Sequence, residues 1–363
     1  MANAAPKLKT SDDTIKTFHG KILDWYGREH RKLPWRAEPG ELQEPYKVWL
    51  SEIMLQQTVV NAVIPYFLRF LALWPRVEDL AVAPSEDVMR EWAGLGYYAR
   101  ARNLHKCAKV VAQEMGGVFP KTQAELKKLP GIGDYTSAAI AAIAFGERAT
   151  VVDGNIERVM ARFFAVQGTL PDIKPKLKKL AAPFFENVQK PGDLAQALMD
   201  LGAGICTPKS PKCMLCPVVE FCEGRVLGIA EELPRKKEKG VKPQREGTVY
   251  WIEDGAGNVL LHRRPEKGML GGMTGFPTSD WSKSHESFAA PPELKTHKEK
   301  VLHSFTHFDL TLILQSGMAK EEFAGDYFWH PVDDLATIGF PTLFKKVLRF
   351  MSIGNAEDAK NAK

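Results

Sequence analysis

The hydrophobic pattern changes its period near residue 240, and this change limits the possible folds more than any other feature. Residues 14–205 carry apolar side chains three and four positions apart, whereas runs typical of β-strands occur only after residue 240. A length of 363 residues agrees with about two domains. The sequence therefore predicts an all-α region followed by an α+β domain.

The same patterns set the expected elements and boundaries. Helices are expected at residues 46–70, 86–92, 99–115, 122–129, 137–145 and 155–166. The later region should contain strands at 247–253, 259–263 and 311–315, with a hairpin turn between the first two, and a terminal helix at 342–351. This gives a helical domain (1–233), a linker (234–245), an α+β domain (246–353) and a disordered tail (354–363).

Positive charge is concentrated in one short stretch. The formal net charge of the chain is +5, and residues 234–245 hold six Lys or Arg and one Glu. A solvated linker explains this stretch, and so does a linker that lies along a polyanion. The longest apolar run, 138–145, is shorter than the roughly 18 residues of a membrane span. Residues 1–13 lack the apolar core of a secretory signal. We therefore expect a cytoplasmic protein without a membrane partner.

Four of the five cysteines fall within one short segment. They are Cys206, Cys213, Cys216 and Cys222. A disulfide framework is typical of small secreted chains, so four clustered thiolates indicate a metal or iron–sulfur site. Both a tetrahedral zinc ion and a four-iron cluster accept four thiolates, and spacing alone does not choose between them. Cys107 lies in an apolar helical stretch and is expected to be an unreactive core thiol.

The segment Leu129-Pro130-Gly131-Ile132-Gly133 lies between two apolar helices. Two glycines one residue apart let backbone N–H groups converge at a helix N-terminus, which suits a phosphate oxygen. A tight turn between helices is the structural alternative. The segment therefore predicts a contact of Gly131 and Gly133 with a nucleic-acid backbone.

Two carboxylates have the context of a catalytic pair. Glu52 lies among apolar residues on a helix that must be largely buried, so its pKa should be raised. Asp153 opens a helix, where it can act as an N-cap and where backbone donors should keep it ionised. A protonated and an ionised carboxyl are the pair used in glycoside cleavage. The alternatives are a structural hydrogen-bond network for Glu52 and a simple cap for Asp153.

Further side chains could recognise a base. The amide of Gln57 suits a base edge or the gap left by a flipped base. Tyr97 follows a Gly-rich turn and could wedge between stacked bases. Trp35 and Arg36 add an indole and a guanidinium that could line a base pocket. Each of these residues alone is a weak signal, because aromatic residues near turns are usually part of a core.

Together these motifs resemble the helix–hairpin–helix glycosylase superfamily, and within it the adenine DNA glycosylase (MutY) family along nearly the whole chain. The resemblance implies an all-α glycosylase domain with an iron–sulfur loop, followed by an α+β Nudix-like domain. The latter rests on Arg263-Arg264-Pro265, Gly271-Gly272 and Phe276-Pro277. No Nudix-type run of glutamates is present, so pyrophosphate hydrolysis is not expected.

The resemblance also implies roles for individual residues. Glu52 matches the general acid, Asp153 the carboxylate that faces the sugar cation, and Tyr97 the intercalating tyrosine. The positions that match pocket or wedge residues are Trp35, Arg36, Gln57, Tyr135, Asn155 and Gln196. Cys206, Cys213, Cys216 and Cys222 match the ligands of one 4Fe-4S cluster, and Lys209 and Lys212 lie on the loop that approaches DNA.

Two positions affect the expected activity, the first a feature that separates the family from its bifunctional relatives and the second a departure from the family pattern. Tyr135 stands where bifunctional relatives carry lysine, and a phenol cannot form a Schiff base, so a monofunctional enzyme is expected. The lesion-recognition segment Phe-Ser-His is here Phe305-Thr306-His307, and Thr306 keeps the hydroxyl but adds a methyl group. Recognition of the base opposite adenine is therefore expected to involve Thr306 and His307.

The expected function is hydrolysis of adenine from duplex DNA when it is mispaired with 8-oxoguanine or guanine, by a monomer that leaves an abasic site. The first alternative is a related glycosylase that acts on mismatched thymine or oxidised pyrimidines. The others are a DNA-binding protein without activity and a Nudix-type pyrophosphatase. Retention of Glu52 and Asp153 argues against the second, and the missing glutamates argue against the third.

Overall fold

The computed structural model describes residues 11–41, 43–237, 240–281, 288–320 and 322–361. The chain divides into two compact units within these ranges. The helical unit comprises Met1–Ala81 and Lys106–Lys239, and the sheet unit comprises Val82–His105 and Gly240–Lys363. The predicted absence of a secretory signal concerns residues 1–13, and residues 1–10 lie outside the described ranges. Across the described ranges, no helix combines the length and hydropathy needed to cross a membrane.

Helices dominate the chain before residue 240. In chain order they are α1 (Asp12–Glu29), α2 (Pro45–Leu55), α3 (Val60–Leu73), α4 (Val77–Val82), α5 (Ser85–Trp92), α6 (Ala99–Glu114), α7 (Gln123–Leu126), α8 (Asp134–Phe145), α9 (Gly154–Phe163), α10 (Lys174–Glu186), α11 (Pro191–Gly204) and α12 (Glu223–Val226), and α13 (Thr342–Asn361) closes the chain. The strands are β1 (Thr169–Leu170), β2 (Arg235–Lys236), β3 (Gln244–Glu253), β4 (Asn258–Arg263), β5 (Thr274–Gly275), β6 (Lys295–Ser304), β7 (Asp309–Met318) and β8 (Tyr327–Pro331).

Helix α8 forms the centre of the helical unit. Its residues from Thr136 to Ala144 are all buried, which its small alanine side chains permit. It packs against α2, α7 and α11, and α11 also packs against α1 and α9. This arrangement brings the end of α2, the start of α8, the start of α9 and the middle of α11 to one place.

The sheet unit is built on a six-stranded sheet. The path of paired strands is β5-β4-β3-β7-β6, and β8 pairs with β4. Strands β3 and β7 are parallel over ten residue pairs, from Gln244↔Asp309 to Glu253↔Met318. Alternate residues of β3 belong to two different hydrophobic clusters, one on each face of the sheet. Val249 and Trp251 pack with α13 in one cluster, and Tyr250 and Ile252 belong to the other.

Several expected elements differ from the structure. The stretch 46–70 is not one helix, because the chain breaks between α2 and α3, where Gln57 has a φ of +58°. The helix expected at 122–129 is only the four-residue α7. Strands β1 and β2 form a short parallel pair before residue 240, where no strand was expected.

The C-terminal elements also require corrections. Strands β5, β6 and β8 were not predicted, whereas β3, β4 and β7 confirm the three expected strands and their hairpin. Helix α13 continues to Asn361, so most of the segment expected to be a disordered tail is helical. Residues 362 and 363 lie outside the described part of the chain.

Candidate active site

A cavity of about 1000 Å³ in the helical unit collects most of the predicted site residues. The α2–α3 junction, the hairpin before α8, the start of α9 and one face of α11 form its wall. The predicted residues that line it are Trp35, Arg36, Glu52, Gln57, Gly131, Gly133, Tyr135, Asp153, Asn155 and Gln196. Residues far apart in sequence thus converge on one space large enough for a purine nucleotide.

Glu52 lies near the end of α2 and is 6% exposed. Burial raises its pKa to about 7, and the nearby charge of Asp153 acts in the same direction. The hydroxyl of Tyr135 donates a hydrogen bond to the Glu52 carboxyl and opposes this shift. The raised pKa predicted from the sequence is confirmed, and Glu52 can hold a proton near neutral pH.

Asp153 is the N-cap of α9. Its Oδ1 accepts a hydrogen bond of 2.7 Å from the backbone N–H of Ile156, and its Oδ2 accepts one of 2.8 Å from Asn155 Nδ2. The capping geometry agrees with the prediction, but burial outweighs these donors and raises the pKa of Asp153 above its ordinary value. The expectation that backbone donors and the helix dipole keep Asp153 ionised therefore left out burial, which acts in the opposite direction and is the larger effect.

Tyr135 occupies the second position of α8, directly beside Glu52. Burial raises its pKa well above the ordinary value, and the charges of Glu52 and Asp153 add to the effect. The phenol therefore stays protonated at neutral pH and serves as a hydrogen-bond donor. The sequence singles out Tyr135 because bifunctional relatives have lysine there and because it matches a pocket position. Its hydrogen bond to Glu52 is a further property that only the structure shows.

Arg36 belongs to a buried ion pair that sequence reasoning missed. Its Nη1 donates to Asp200 Oδ2 at 2.6 Å and its Nη2 donates to Asp200 Oδ1 at 3.0 Å. The side chain of Arg36 is 7% exposed and that of Asp200 is 2% exposed. Asp200 lies between the apolar Met199 and Leu201 on a buried helix, the kind of context that identified Glu52, and this signal could have identified Asp200 too.

A chain of hydrogen bonds connects Asp153 with the cysteine segment. Asn155 donates to Asp153, and Asn155 Oδ1 accepts a hydrogen bond of 3.0 Å from Arg158 Nη2. Arg158 Nε in turn donates to the carbonyl of Cys206 at 2.7 Å. Gly202 packs so closely here that a Cβ would lie 2.5 Å from the Cβ of Asn155. Helices α9 and α11 are therefore held in a defined register beside the cavity.

The four cysteines of the loop lie near one another. Burial raises the pKa of Cys216, and the charges of Cys206, Cys213 and Cys222 act in the same direction. No set of three or more His, Cys, Asp or Glu side chains within the described ranges is arranged around the position of a single metal ion. Four thiols on one short loop are nonetheless a donor set that fits an iron–sulfur cluster.

Arg162 anchors this loop to α9. Its guanidinium donates to the carbonyls of Leu233, Thr207 and Pro208, and its Nη1 lies 3.3 Å from Cys206 Sγ. Lys209 and Lys212 are exposed on the same loop. Cys107, in contrast, is fully buried, and burial raises the pKa of its thiol to about 12, which agrees with an unreactive core position.

Comparisons with known proteins agree with this geometry. Residues 50–190 match the family described as HhH-GPD superfamily base excision DNA repair protein, residues 206–222 match the iron-sulfur binding domain of endonuclease III, and residues 248–350 match the NUDIX domain. An adenine DNA glycosylase of Homo sapiens is 34% identical over 92% of this chain and 74% of its own length. The chain belongs to the adenine DNA glycosylase family.

A second relative and a solved structure extend the comparison. An adenine DNA glycosylase of Buchnera aphidicola is 33% identical over 92% of this chain and 97% of its own length. The structure of a thermostable thymine-DNA glycosylase aligns with a TM-score of 0.53 at 30% identity, over 60% of this chain and 98% of that one. This member of the adenine DNA glycosylase family is thus a DNA N-glycosylase with an iron–sulfur domain and a Nudix-like domain.

The sheet unit of this adenine DNA glycosylase family member holds the remaining predicted residues. Thr306 and His307 are exposed in the loop between β6 and β7. Tyr97 is 44% exposed and has a φ of +48°, and its Oη shares a hydrogen bond of 2.7 Å with Thr306 Oγ1. The residue expected to enter the base stack and the residue expected to read the lesion therefore touch each other.

The basic stretch 234–245 contains cations with partners in the structure. Arg235 pairs with Glu232 at 3.0 Å, and Lys237 pairs with Asp172 at 2.9 Å. These ion pairs hold Arg235 and Lys237 against the helical unit, so this part of the linker also has a structural role.

Lys242 belongs to the same stretch and contacts the end of β6 and the start of the loop that follows it. Its Nζ donates to Ser304 Oγ and to the Phe305 carbonyl, each at 2.9 Å. Both acceptors directly precede Thr306, so Lys242 helps to fix the segment that presents Thr306 and His307.

Proposed function

We propose that the chain hydrolyses the N-glycosidic bond of adenine mispaired with 8-oxoguanine or guanine in duplex DNA and leaves an abasic site. The observation that carries this proposal is that Glu52 and Asp153 line one cavity, where the charge of Asp153 helps to raise the pKa of Glu52. One of the two carboxyls has a pKa of about 7, which suits a general acid. Two carboxyls with different roles are what glycoside cleavage requires.

The proposed reaction begins when adenine is flipped into the cavity. Glu52 transfers its proton to N7 of adenine, the bond between the sugar C1′ and N9 breaks, and the electron pair leaves with the base. The ionised Asp153 stabilises the positive charge on the sugar, and water adds to C1′ and gives a proton to the Glu52 carboxylate, which returns to its starting form. Each carboxyl is expected to lower the barrier by about 3–5 kcal/mol, as single electrostatic groups do elsewhere.

Binding of the duplex is assigned to separate residues. The hairpin amides at Gly131 and Gly133 would contact one phosphate, and Lys209 and Lys212 would contact others, so that affinity falls with salt. Gln57 and Tyr97 would enter the stack that the adenine leaves. Both have positive φ values, +58° and +48°, and such strained backbone is concentrated at functional sites.

Recognition of the opposite base is assigned to Thr306 and His307. Both are exposed on one loop, and the hydrogen bond of Thr306 with Tyr97 supports a shared site for the wedge and the lesion. Thr306 differs from the family serine by one methyl group, which leaves its hydroxyl in place. We infer that 8-oxoguanine recognition is retained by this chain.

Cys206, Cys213, Cys216 and Cys222 would hold one 4Fe-4S cluster. Hydrolysis needs no electron, so the cluster would stabilise the loop that carries Lys209 and Lys212 and would take no part in bond cleavage. Purified protein should contain about four iron and four sulfide per chain and absorb visible light. A stoichiometric zinc content without iron would contradict this assignment.

Single-turnover excision on one series of duplexes tests the function. Adenine, thymine or an oxidised pyrimidine is placed opposite 8-oxoguanine or guanine, and the Glu52→Gln variant serves as the inactive control. We expect excision of adenine only, fastest opposite 8-oxoguanine, without strand cleavage. Glu52→Gln should bind the duplex normally and lose at least about 100-fold in rate.

Excision of thymine in preference to adenine would favour the activity named for the similar thymine-DNA glycosylase structure and would overturn the proposal. Normal excision by Glu52→Gln would remove Glu52 from the mechanism. Size-exclusion chromatography with and without DNA tests the expected monomer, and a dimer would contradict it.

A further inference from the structure

Arg36 brings a positive charge to the catalytic cavity. It ends a tight turn in which its backbone N–H donates to the Leu33 carbonyl at 3.0 Å, and its side chain lines the cavity. Burial raises the pKa values of Glu52 and Tyr135, and the charge of Arg36 opposes this effect at both groups. An unbalanced cation at this point would oppose the protonated state that the general acid needs.

Asp200 balances that cation from behind. Both of its carboxylate oxygens accept hydrogen bonds from Arg36, and Oδ2 also accepts one of 3.0 Å from the backbone N–H of Arg31. Gln196, one turn earlier on α11, lines the cavity, but Asp200 is not among the described residues that do. Asp200 therefore reaches the cavity through the lining residues that it contacts, chief among them Arg36, which it holds with both carboxylate oxygens.

The burial of this pair determines how strongly it matters. Both side chains are more than nine-tenths buried, so the charges are weakly screened by solvent. Removing one member of a buried ion pair leaves the other charge uncompensated. An uncompensated guanidinium near a carboxyl favours its ionised form.

We propose that Asp200 is a positioning residue for base excision: it fixes and neutralises the Arg36 guanidinium, so that Glu52 keeps its proton at neutral pH. This inference rests on the proposed function. It assigns to a residue outside the cavity the task of protecting the general acid from a cation inside it.

The other charged and titratable groups around the site do not replace Asp200. Glu52 faces Tyr135, Asp153 and Arg36. Arg31 Nη1 lies 3.9 Å from Asp200 Oδ1, and the Arg31 side chain is 38% exposed. Arg31 is a second cation beside Asp200, so it cannot balance the charge of Arg36.

The charges of Arg36 and Asp200 also act on the pKa of Tyr26 in α1. Burial raises its pKa, and the charges of Arg36, Asp200, Asp193 and Glu38 act on it as well. Tyr26 therefore stays neutral over the pH range of the test and contributes no changing charge.

The test is the pH dependence of single-turnover adenine excision by the full-length protein with its cluster, from pH 5 to 9. Asp200→Asn keeps the shape of the side chain and removes its charge. We expect the alkaline limb of the profile to move to lower pH by about one unit. The rate near pH 7.5 should fall about tenfold, while the rate near pH 5.5 should change much less.

Two further variants make the result specific. Asp193→Asn is the same change on the same helix, at a carboxylate that interacts with Lys190 and the backbone of Gly40, and its alkaline limb should not move. Asp200→Glu keeps the charge and should retain the wild-type limb even if its rate falls. Asp200→Glu also keeps the inference testable if Asp200→Asn does not fold. An alkaline limb that moves in Asp200→Glu, where the charge is retained, would contradict the inference.

A uniform loss of rate in Asp200→Asn, with the alkaline limb in its wild-type position, would show a merely structural role and overturn the inference. The proposed function would fail in a different way, through the absence of adenine excision by the wild-type protein at any pH. The two failures are therefore distinguishable in one set of measurements.

Discussion

Glu52 and Asp153 have raised pKa values for the same reason, burial, yet the proposed reaction needs them in opposite protonation states. Activity then requires a pH below the pKa of Glu52, which is about 7, and above the raised pKa of Asp153. We expect the single-turnover rate of adenine excision to follow a bell-shaped pH profile. Its alkaline limb should lie near pH 7 and belong to Glu52, and its acid limb should belong to Asp153.

The assignment of the limbs can be checked with one substitution. Asp153→Asn removes the group that must be ionised, so the acid limb should disappear together with most of the activity. A profile that stays flat between pH 5 and 9 in the wild-type protein would contradict the roles given to both carboxyls. Rates must be measured at saturating enzyme so that DNA release does not mask the chemical step.

The hydroxyl of Tyr135 has a separate and measurable effect on the acid. Its hydrogen bond lowers the pKa of Glu52, so Tyr135→Phe should raise it. A hydrogen bond to a charged group contributes about 1.5 kcal/mol, which corresponds to a shift of about one unit. The alkaline limb should therefore move to higher pH in Tyr135→Phe, opposite to the shift expected for Asp200→Asn. A downward shift would show that the phenol does not donate to Glu52.

At the scale of elements, the two glycines of the hairpin before α8 differ in what they require. Gly131 has a φ of +77°, so Gly131→Ala should destabilise the fold by about 1–2 kcal/mol. Gly133 has an extended φ of −93°, and a Cβ there would meet nothing within 4 Å. Gly133→Ala should therefore leave the thermal midpoint almost unchanged.

The same pair of variants tests the phosphate contact. If the hairpin amides face DNA, the new methyl group of Gly133→Ala lies where a phosphate approaches, and affinity for duplex should fall about tenfold. Fluorescence anisotropy at several salt concentrations measures this loss. Unchanged affinity in a normally folded Gly133→Ala variant would count against the contact.

Sequence periodicity predicted the buried helices well because their apolar faces repeat along several turns. It failed where a local feature interrupts the repeat, as at Gln57, which divides one expected helix into α2 and α3. Strand β6 was missed because seven of its ten residues are exposed, so a polar edge strand lacks the alternation on which such predictions depend.

The candidate site was predictable only in part, for a related reason. Glu52 and Asp153 stand out because each has a recognisable local context, a buried helix and a helix start. The partner of Arg36 is 164 positions away, and no local pattern joins Arg36 to Asp200. Pairings of this kind depend on how helices pack, which the sequence alone does not specify.

At the scale of the whole molecule, the carboxyls proposed for catalysis belong to the helical unit, and the loop proposed to recognise the opposite base belongs to the sheet unit. Substitutions in the two units should therefore have different kinetic signatures. A substitution of Lys242 tests the sheet unit, because Lys242 donates hydrogen bonds to Ser304 and Phe305, the two residues before Thr306. Lys242→Met should lower the preference for adenine opposite 8-oxoguanine over adenine opposite guanine by about tenfold.

Lys298→Met is the matched control for this prediction. It removes the same charge from an exposed position of β6, and the preference should be unchanged. Excision opposite guanine should stay close to wild type in both variants. An equal loss of rate on both duplexes in Lys242→Met would indicate general damage to the protein and contradict a role in recognition.

The position of Lys242 also has a practical consequence for protein engineering. Composition alone suggests that the C-terminal module starts at residue 246, and a chimera joined there would leave this lysine in the donor protein. The transplanted module would keep Thr306 and His307 but lose a support of the loop that presents them. A graft intended to transfer lesion preference should therefore begin upstream of residue 242.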